Sequence, residues 1–226
     1  MKALKYLIVT GLFLMLGVSV NGASATADEI VRKMDDHHAI SDNFEMTIRL
    51  ESYLNNHFEN ATVMKGYVND GQMTMLTFLE PANMKHRKIL MKNNDMWIVI
   101  PKVKNPIRVT ASQRLMGGIS YGDVARVSYA DDYTAKLSGE ESIVGMNADG
   151  NKAEAEKCLV LELAAKDPQK NYPKIMIWVE KQNYLPVKAD FFALSGKKMT
   201  TIYYTGPKEW KGKIIVTKMF LFDQII

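Results

Sequence analysis

The sequence predicts a mainly β (α+β) protein: an incomplete, strongly curved antiparallel β-barrel of about 10–11 strands, with an N-terminal helix and short loop helices covering its concave face. Three observations lead there. From Phe44 onward apolar residues recur with period two, and tight-turn signals divide them into short runs. Several of those runs are apolar on both faces, as in Met73–Leu79 and Met96–Ile100, which a sheet covered on one side only does not show. The stretches with helical spacing are too few to make a full second layer, so the sheet has to curl around them.

The first element is an address. Lys2 and Lys5 precede the apolar run Leu7–Leu16, and Ala23-Ser24-Ala25 follows the small-residue cleavage rule. Thr10, Gly11 and Gly17 interrupt the run, which falls short of the ~20 residues of a membrane span. Residues 1–25 are therefore expected to be a signal peptide cut near Ala25, and 26–226 a single exported domain. No cysteine stands near that cut, so lipid modification of the new N-terminus is not expected.

Thr26-Ala27-Asp28-Glu29 has capping-box spacing, and Ala27, Ile30, Val31 and Met34 continue it as an amphipathic helix ending near His38. Phe44, Met46, Ile48 and Leu50 then alternate with polar residues as the first strand. Asn55-Asn56 turns it into a strand near Phe58–Val68, and Asn69-Asp70-Gly71 turns that into Gln72–Leu79. Lys85–Lys92 and Met96–Ile100 flank Asn93-Asn94-Asp95. After Gly145 and the Asp149-Gly150 turn come Ala153–Ala165, Pro173–Glu180, Pro186–Ala193, Lys197–Tyr204 and Lys213–Phe222. Between the two series lies Pro101–Val127, too long for a plain connection. It carries Leu115, Met116, Ile119 and Tyr121, and Ser120 at a helix-capping position. It reads as a flap laying apolar side chains over one end of the sheet.

Composition narrows the function. The chain has 226 residues, 29 Lys+Arg, 25 Asp+Glu, a single Cys and 47% hydrophobic residues. That excludes a disordered chain, a disulfide framework and a cysteine zinc finger. The net charge of +4, lowered to +2 without Lys2 and Lys5, is too weak and too interleaved for a nucleic-acid stripe. There is no G-x-S-x-G elbow, phosphate loop or dinucleotide fingerprint. Cys158 sits in an apolar strand without a basic activator, and His37, His38, His57 and His86 read as surface residues. Met84-x-His86 with Met91 and Met96 offers copper-type ligands, but methionine is spread over many predicted strands. No enzyme activity, metal or cofactor is expected.

The composition stands out in its 15 methionines. Methionine is flexible and polarisable, and it lines spaces that adapt to ligands of variable shape. The reading is an apolar cavity for acyl chains, each buried methylene contributing about 0.8 kcal/mol. A merely methionine-rich core is the alternative, and the sequence leaves both open. The candidate lipid-binding residues are Phe44, Met46, Ile48, Leu76, Phe78, Leu90, Trp97, Val99, Leu115 and Met116. Alternation groups them by face without saying which face turns inward.

The order and spacing of three stretches resemble the outer membrane lipoprotein-sorting-like proteins of the LolA/LolB superfamily of periplasmic carriers. These are Phe78-Leu79-Glu80-Pro81 through Ile89-Leu90 to Asp95–Pro101, then Arg108-Val109 with Leu115–Asp123, and then Trp178-Val179-Glu180, Leu185-Pro186-Val187 and Ser195–Lys198. The resemblance spans nearly the whole mature chain. It departs at His86, where the family commonly has Gly, and in the loop Gly117-Gly118-Ile119-Ser120. It implies an open barrel with helices on its concave face, in the periplasm, carrying acyl chains of lipids or lipoproteins between membranes. It also implies as partner an inner-membrane RND-type transporter or an outer-membrane acceptor, with the chain a monomer. A sensor or scaffold binding a lipid or protein tail on the same fold is the alternative.

Overall fold

The computed structural model describes residues 25–38, 41–69, 73–93, 95–116, 119–125, 128–167 and 170–224. Residues 1–24 of the expected signal peptide, the Asp70-Gly71 turn and Gly117-Gly118 lie outside the described residues. Helix α1 (Ala27–Asp35) opens on the capping box. The Glu29 amide donates to Thr26 Oγ1 at 3.3 Å, and the Thr26 amide donates to Glu29 Oε2 at 2.8 Å. Asp28 and Glu29 in the first turn and Arg32 and Lys33 in the last complement the helix dipole.

Two six-stranded antiparallel sheets follow, each in simple chain order. The first holds β1 (Phe44–Leu54), β2 (His57–Asn69), β3 (Met73–Glu80), β4 (Lys88–Lys92), β5 (Asp95–Val99) and β6 (Ile107–Val109). The second holds β9 (Tyr133–Met146), β10 (Lys152–Ala165), β11 (Lys174–Glu180), β12 (Pro186–Phe192), β13 (Lys198–Trp210) and β14 (Lys213–Asp223). Between them lie the ribbon β7 (Arg114–Met116) and β8 (Ile119–Ser120) and the short helix α2 (Tyr121–Ala125). The fold is mainly β and its sheets do not close into a barrel.

This corrects the expectation of one continuous sheet of 10–11 strands. The flap segment interrupts the ladder: β6 pairs with β5 over three residues only, and the chain then leaves to build β7, β8 and α2. Strand β9 had no counterpart in the sequence reading. It is an edge strand carrying Ser138-Gly139-Glu140-Glu141-Ser142, exposed along this stretch, so it shows no apolar period.

Each sheet has its own cover. Helix α1 lies on the second sheet, where Ile30, Val31 and Met34 meet Leu161, Leu163, Ile175, Ile177, Phe191 and Ile202. One cross-strand row, Leu161–Ile177–Ala189–Ile202–Leu221, supplies much of that face. The segment that follows α1 covers the free edge of β14. The Val216 amide donates to the His37 carbonyl at 2.9 Å, and His37 Nδ1 lies 2.6 Å from the Ile214 carbonyl oxygen. This occupies backbone groups that would otherwise template a foreign strand.

The opposite face of the second sheet has a second layer made from the sheet itself. Strand β10 pairs with β11 only through Cys158–Ala164, so the distal part of the β9–β10 hairpin runs past it. Register shifts near Gly139 and at Lys152/Ala155 bend the hairpin back across β12–β14. A Cβ on Gly145 would come within 3.1 Å of Val187 Cγ1, and Lys218 Nζ donates to the Ala148 carbonyl at 2.6 Å. Cys158, Val160, Trp178 and Val187 fill the space between. The second sheet is thus covered on both faces without a second layer of helices.

Candidate functional site

The inner face of the first sheet is built by register. Met46, Gly66, Leu76, Ile89 and Ile98 form one row across five strands, and Ile48, Met64 and Phe78 the next. A third row runs Phe44, Val68, Thr74, Met91, Met96 and Val109. Met64, Leu76, Phe78, Ile89 and Met96 are fully buried there. Gly66 is in this row because a Cβ would meet Leu76 Cδ2 at 3.0 Å and Met46 Cε at 3.1 Å.

The cover continues from Val109 through residues 110–116 and 119–125: Ala111, Leu115, Tyr121, Val124 and Ala125 pack on the face, and Thr62 Oγ1 donates to Met116 Sδ at 3.5 Å. Met46, Met64, Met84, Met91 and Met96 gather in the same cluster. The methionines that looked dispersed in sequence converge, because a meander brings alternate residues of neighbouring strands into one patch. His86 stays exposed on the β3–β4 turn. Among the described residues, no group of three or more His, Cys, Asp or Glu is placed to hold a metal ion.

Polar contacts fasten the cover at its margin. The Gly122 amide donates to the Ala111 carbonyl at 2.9 Å and the Tyr121 amide to that of Gln113 at 3.0 Å. Ser120 caps α2 by accepting the Asp123 amide at 3.2 Å while its own amide and hydroxyl donate to Asp123 Oδ2. Tyr172 reaches the same oxygen at 3.4 Å, and Arg114 reaches Asp223 of β14 at 3.5 Å. The cover is thus tied to both sheets.

A second polar cluster stands where the cover rejoins the second sheet. Asp35 Oδ2 accepts the Ser128 hydroxyl at 3.0 Å and the amides of Tyr129 and Ala130 at 2.8 Å each. Burial nevertheless pushes the Asp35 carboxyl up to about 6, and Oδ1 has no hydrogen-bond partner. His38 stacks edge-on against Tyr129 and Tyr204, whose hydroxyls meet at 2.9 Å. Its ring nitrogens are shut off from solvent without partners, and burial lowers it to about 4. A cavity of about 90 Å³ opens beside this cluster.

Of the sequence-predicted site residues, Phe44, Met46, Ile48, Leu76 and Phe78 lie on the inner face, and Leu115 and Met116 in its cover. Leu90, Trp97 and Val99 lie on the other face, where Leu90 pairs with Trp97 and Val99 with Lys88. Their neighbours Ile89, Met91 and Met96 face inward instead. The signal was legible: Lys88 and Lys92 share the Leu90 face and Asp95 shares the Trp97 face, which marks both as wet.

Among curated proteins, none matches the chain. A family model whose description reads only "Uncharacterized protein" matches residues 70–225. Among solved structures, a LolA superfamily protein from Nitrosomonas europaea is 30% identical, with 89% of this chain and 87% of that chain covered and a TM-score of 0.79. A DUF1329 family protein from Desulfovibrio piger is 18% identical, covers 87% of this chain and 85% of that one, and has a TM-score of 0.71. An outer membrane lipoprotein-sorting protein domain from Vibrio parahaemolyticus is 17% identical, covers 88% and 85%, and also has a TM-score of 0.71. The last two show the shared fold. At 30% identity over nearly the full length of both chains, the first shows the family: the chain belongs to the LolA superfamily.

Proposed function

We propose that this protein is a non-enzymatic carrier that holds acyl chains of lipids or lipoproteins between the inner face of its first sheet and the cover. It would work in the periplasm, reached by way of the N-terminal signal, and exchange cargo with an inner-membrane transporter or an outer-membrane acceptor. The observation that carries the reading is the methionine-rich apolar face itself, closed by a cover whose fastenings are a few polar contacts at its edge. In this closed state Met46, Met64, Met84, Met91 and Met96 occupy the space. Unbranched thioether side chains change rotamer at little cost, so an acyl chain can displace them without breaking the sheet. A chain of about 14–16 carbons contributes on the order of 10 kcal/mol gross on burial, enough for transport without chemistry. The superfamily membership and the lipoprotein-sorting domain among its structural neighbours agree with this reading.

Native mass spectrometry of protein recovered from the periplasm tests it. Acyl-bearing adducts are expected, along with saturable binding of a fluorescent fatty-acid analogue. Protein that is always empty and does not bind the analogue overturns the reading.

A further inference from the structure

The folded-back hairpin leaves a cleft of about 580 Å³ between its tip and the outer face of β12–β14. That is within the range of about 300–1,000 Å³ found for small-ligand pockets. It lies on the far side of the second sheet from α1, shares no lining residue with the methionine face, and stands whether or not the first sheet binds acyl chains.

Three lysines, Lys152, Lys188 and Lys198, line this cleft, and among the described residues no carboxylate does. Two of them are positioned by the register of the strands. Lys188 and Asp190 are two apart on β12 and share a face, Trp178 lies opposite Lys188 on β11, and Thr201 lies opposite Asp190 on β13. Asp190 is buried and accepts the Thr201 hydroxyl at 2.7 Å, which fixes its orientation. Its Oδ2 holds Lys188 Nζ at 3.0 Å and Lys198 Nζ at 3.4 Å, while Lys188 also sits 4.2 Å from the Trp178 ring centroid. One carboxylate behind the wall therefore serves two ammonium groups in front of it. Glu141, on the hairpin, accepts the Trp178 indole N–H at 2.8 Å. Val144 and Met146 from the hairpin and Tyr203 and Phe222 from the sheet give the wall an apolar part, with Thr201 and Gln224 as its neutral polar members.

We propose that this cleft binds an anionic amphiphile, a carboxylate or phosphate monoester whose head sits on Lys152 and Lys198 beside Lys188 and whose apolar group lies on Met146 and Phe222. The excess of cations over the buried Asp190 favours a negative head, and the half-open apolar wall favours a short tail.

Isothermal titration tests it with hexyl phosphate, hexanoate, inorganic phosphate and hexyltrimethylammonium, whose six-carbon tails are short for the acyl face. Hexyl phosphate and hexanoate are expected to bind more tightly than inorganic phosphate, and more tightly still at low salt. The cationic analogue should not compete. Lys152→Gln with Lys198→Gln, both in partly or fully exposed positions, should weaken hexyl phosphate at least tenfold with an unchanged melting temperature. Phe222→Ala should weaken hexyl phosphate and leave inorganic phosphate unaffected. Equal binding of the anionic and cationic analogues, or full affinity in the double-lysine variant, overturns the proposal. Inorganic phosphate binding as tightly as hexyl phosphate overturns the amphiphile class.

Discussion

The Asp35 carboxylate accepts the Tyr129 amide at 2.8 Å, joining the end of α1 to the point where the cover re-enters the second sheet. Three residues on, His38 packs against the Tyr129 ring. The first is a carboxyl held up to about 6 and the second an imidazole held down to about 4, both by burial. Their contributions to stability run in opposite directions. Asp35 adds stability below its unfolded value of 3.8 and loses it as pH rises through about 6. His38 adds stability above its unfolded value of 6.5 and loses it as pH falls through that value toward about 4. Each term is on the order of 3 kcal/mol, so between about pH 4 and 6 they nearly offset. Denaturant midpoints measured from pH 4 to 7 should uncover each slope. Relative to the parent, Asp35→Asn should lose stability as pH falls, and His38→Leu should gain it. Parallel profiles for all three proteins would contradict this pairing.

Gly122 packs directly against Ala111 at the start of the cover. A Cβ there would lie 2.9 Å from Ala111 Cβ and 3.1 Å from the Ala111 carbonyl oxygen. The obstacle includes backbone, so Gly122→Ala must shift the cover, at a cost of about 1–3 kcal/mol. Hydrogen exchange should accelerate at 111–116 and 119–125 while the second sheet keeps its protection. Unchanged exchange in those segments would show that the cover does not depend on this contact.

Gly66 offers a way to fill the proposed acyl space. Its Cβ would press on Leu76 Cδ2 and on Met46 Cε and Cγ, side-chain atoms and not backbone, so Gly66→Val should fold with Met46 displaced. Affinity for a fluorescent fatty-acid analogue should drop about tenfold or more, since the added methyl groups occupy volume the chain requires. Leu90→Ala is the control on the opposite face, where Leu90 is 37% exposed. It should change affinity less than twofold. Equal effects from the two variants would remove the acyl site from the inner face.

Cys158 is buried in the outer cluster with Val160, Trp178 and Val187, and desolvation pushes its thiol up to about 12. The thiolate is the reactive form. At pH 8 iodoacetamide should therefore leave the folded protein unlabelled over hours and modify it promptly in denaturant. Fast labelling of the native protein would mean that the β9–β10 hairpin opens readily from the sheet.

Local patterns were readable where one short-range interaction decides the outcome. Thr26 with Glu29 makes a cap within four residues, so the start of α1 was visible in the sequence. Alternation marked β1–β4, where one face is buried, and near-continuous apolar runs marked β11 and β12, which are buried on both faces. Strand β9 escaped notice because it is an edge, exposed through Glu140-Glu141, and held chiefly by backbone bonds to β10.

The sequence by itself determined a mainly β chain rich in methionine, without catalytic motifs, and with a covering segment between two series of strands. Only the tertiary structure decided which face of each strand is inside, because a period of two names two faces equally and the partner alone chooses between them. That choice placed Ile89, Met91 and Met96 inward and Leu90, Trp97 and Val99 outward. It was also the tertiary structure that divided the strands between two sheets and folded a hairpin over the second. There it set Lys188 beside Asp190 and Lys198, three residues whose contact depends on strand register and on no motif a linear reading can see.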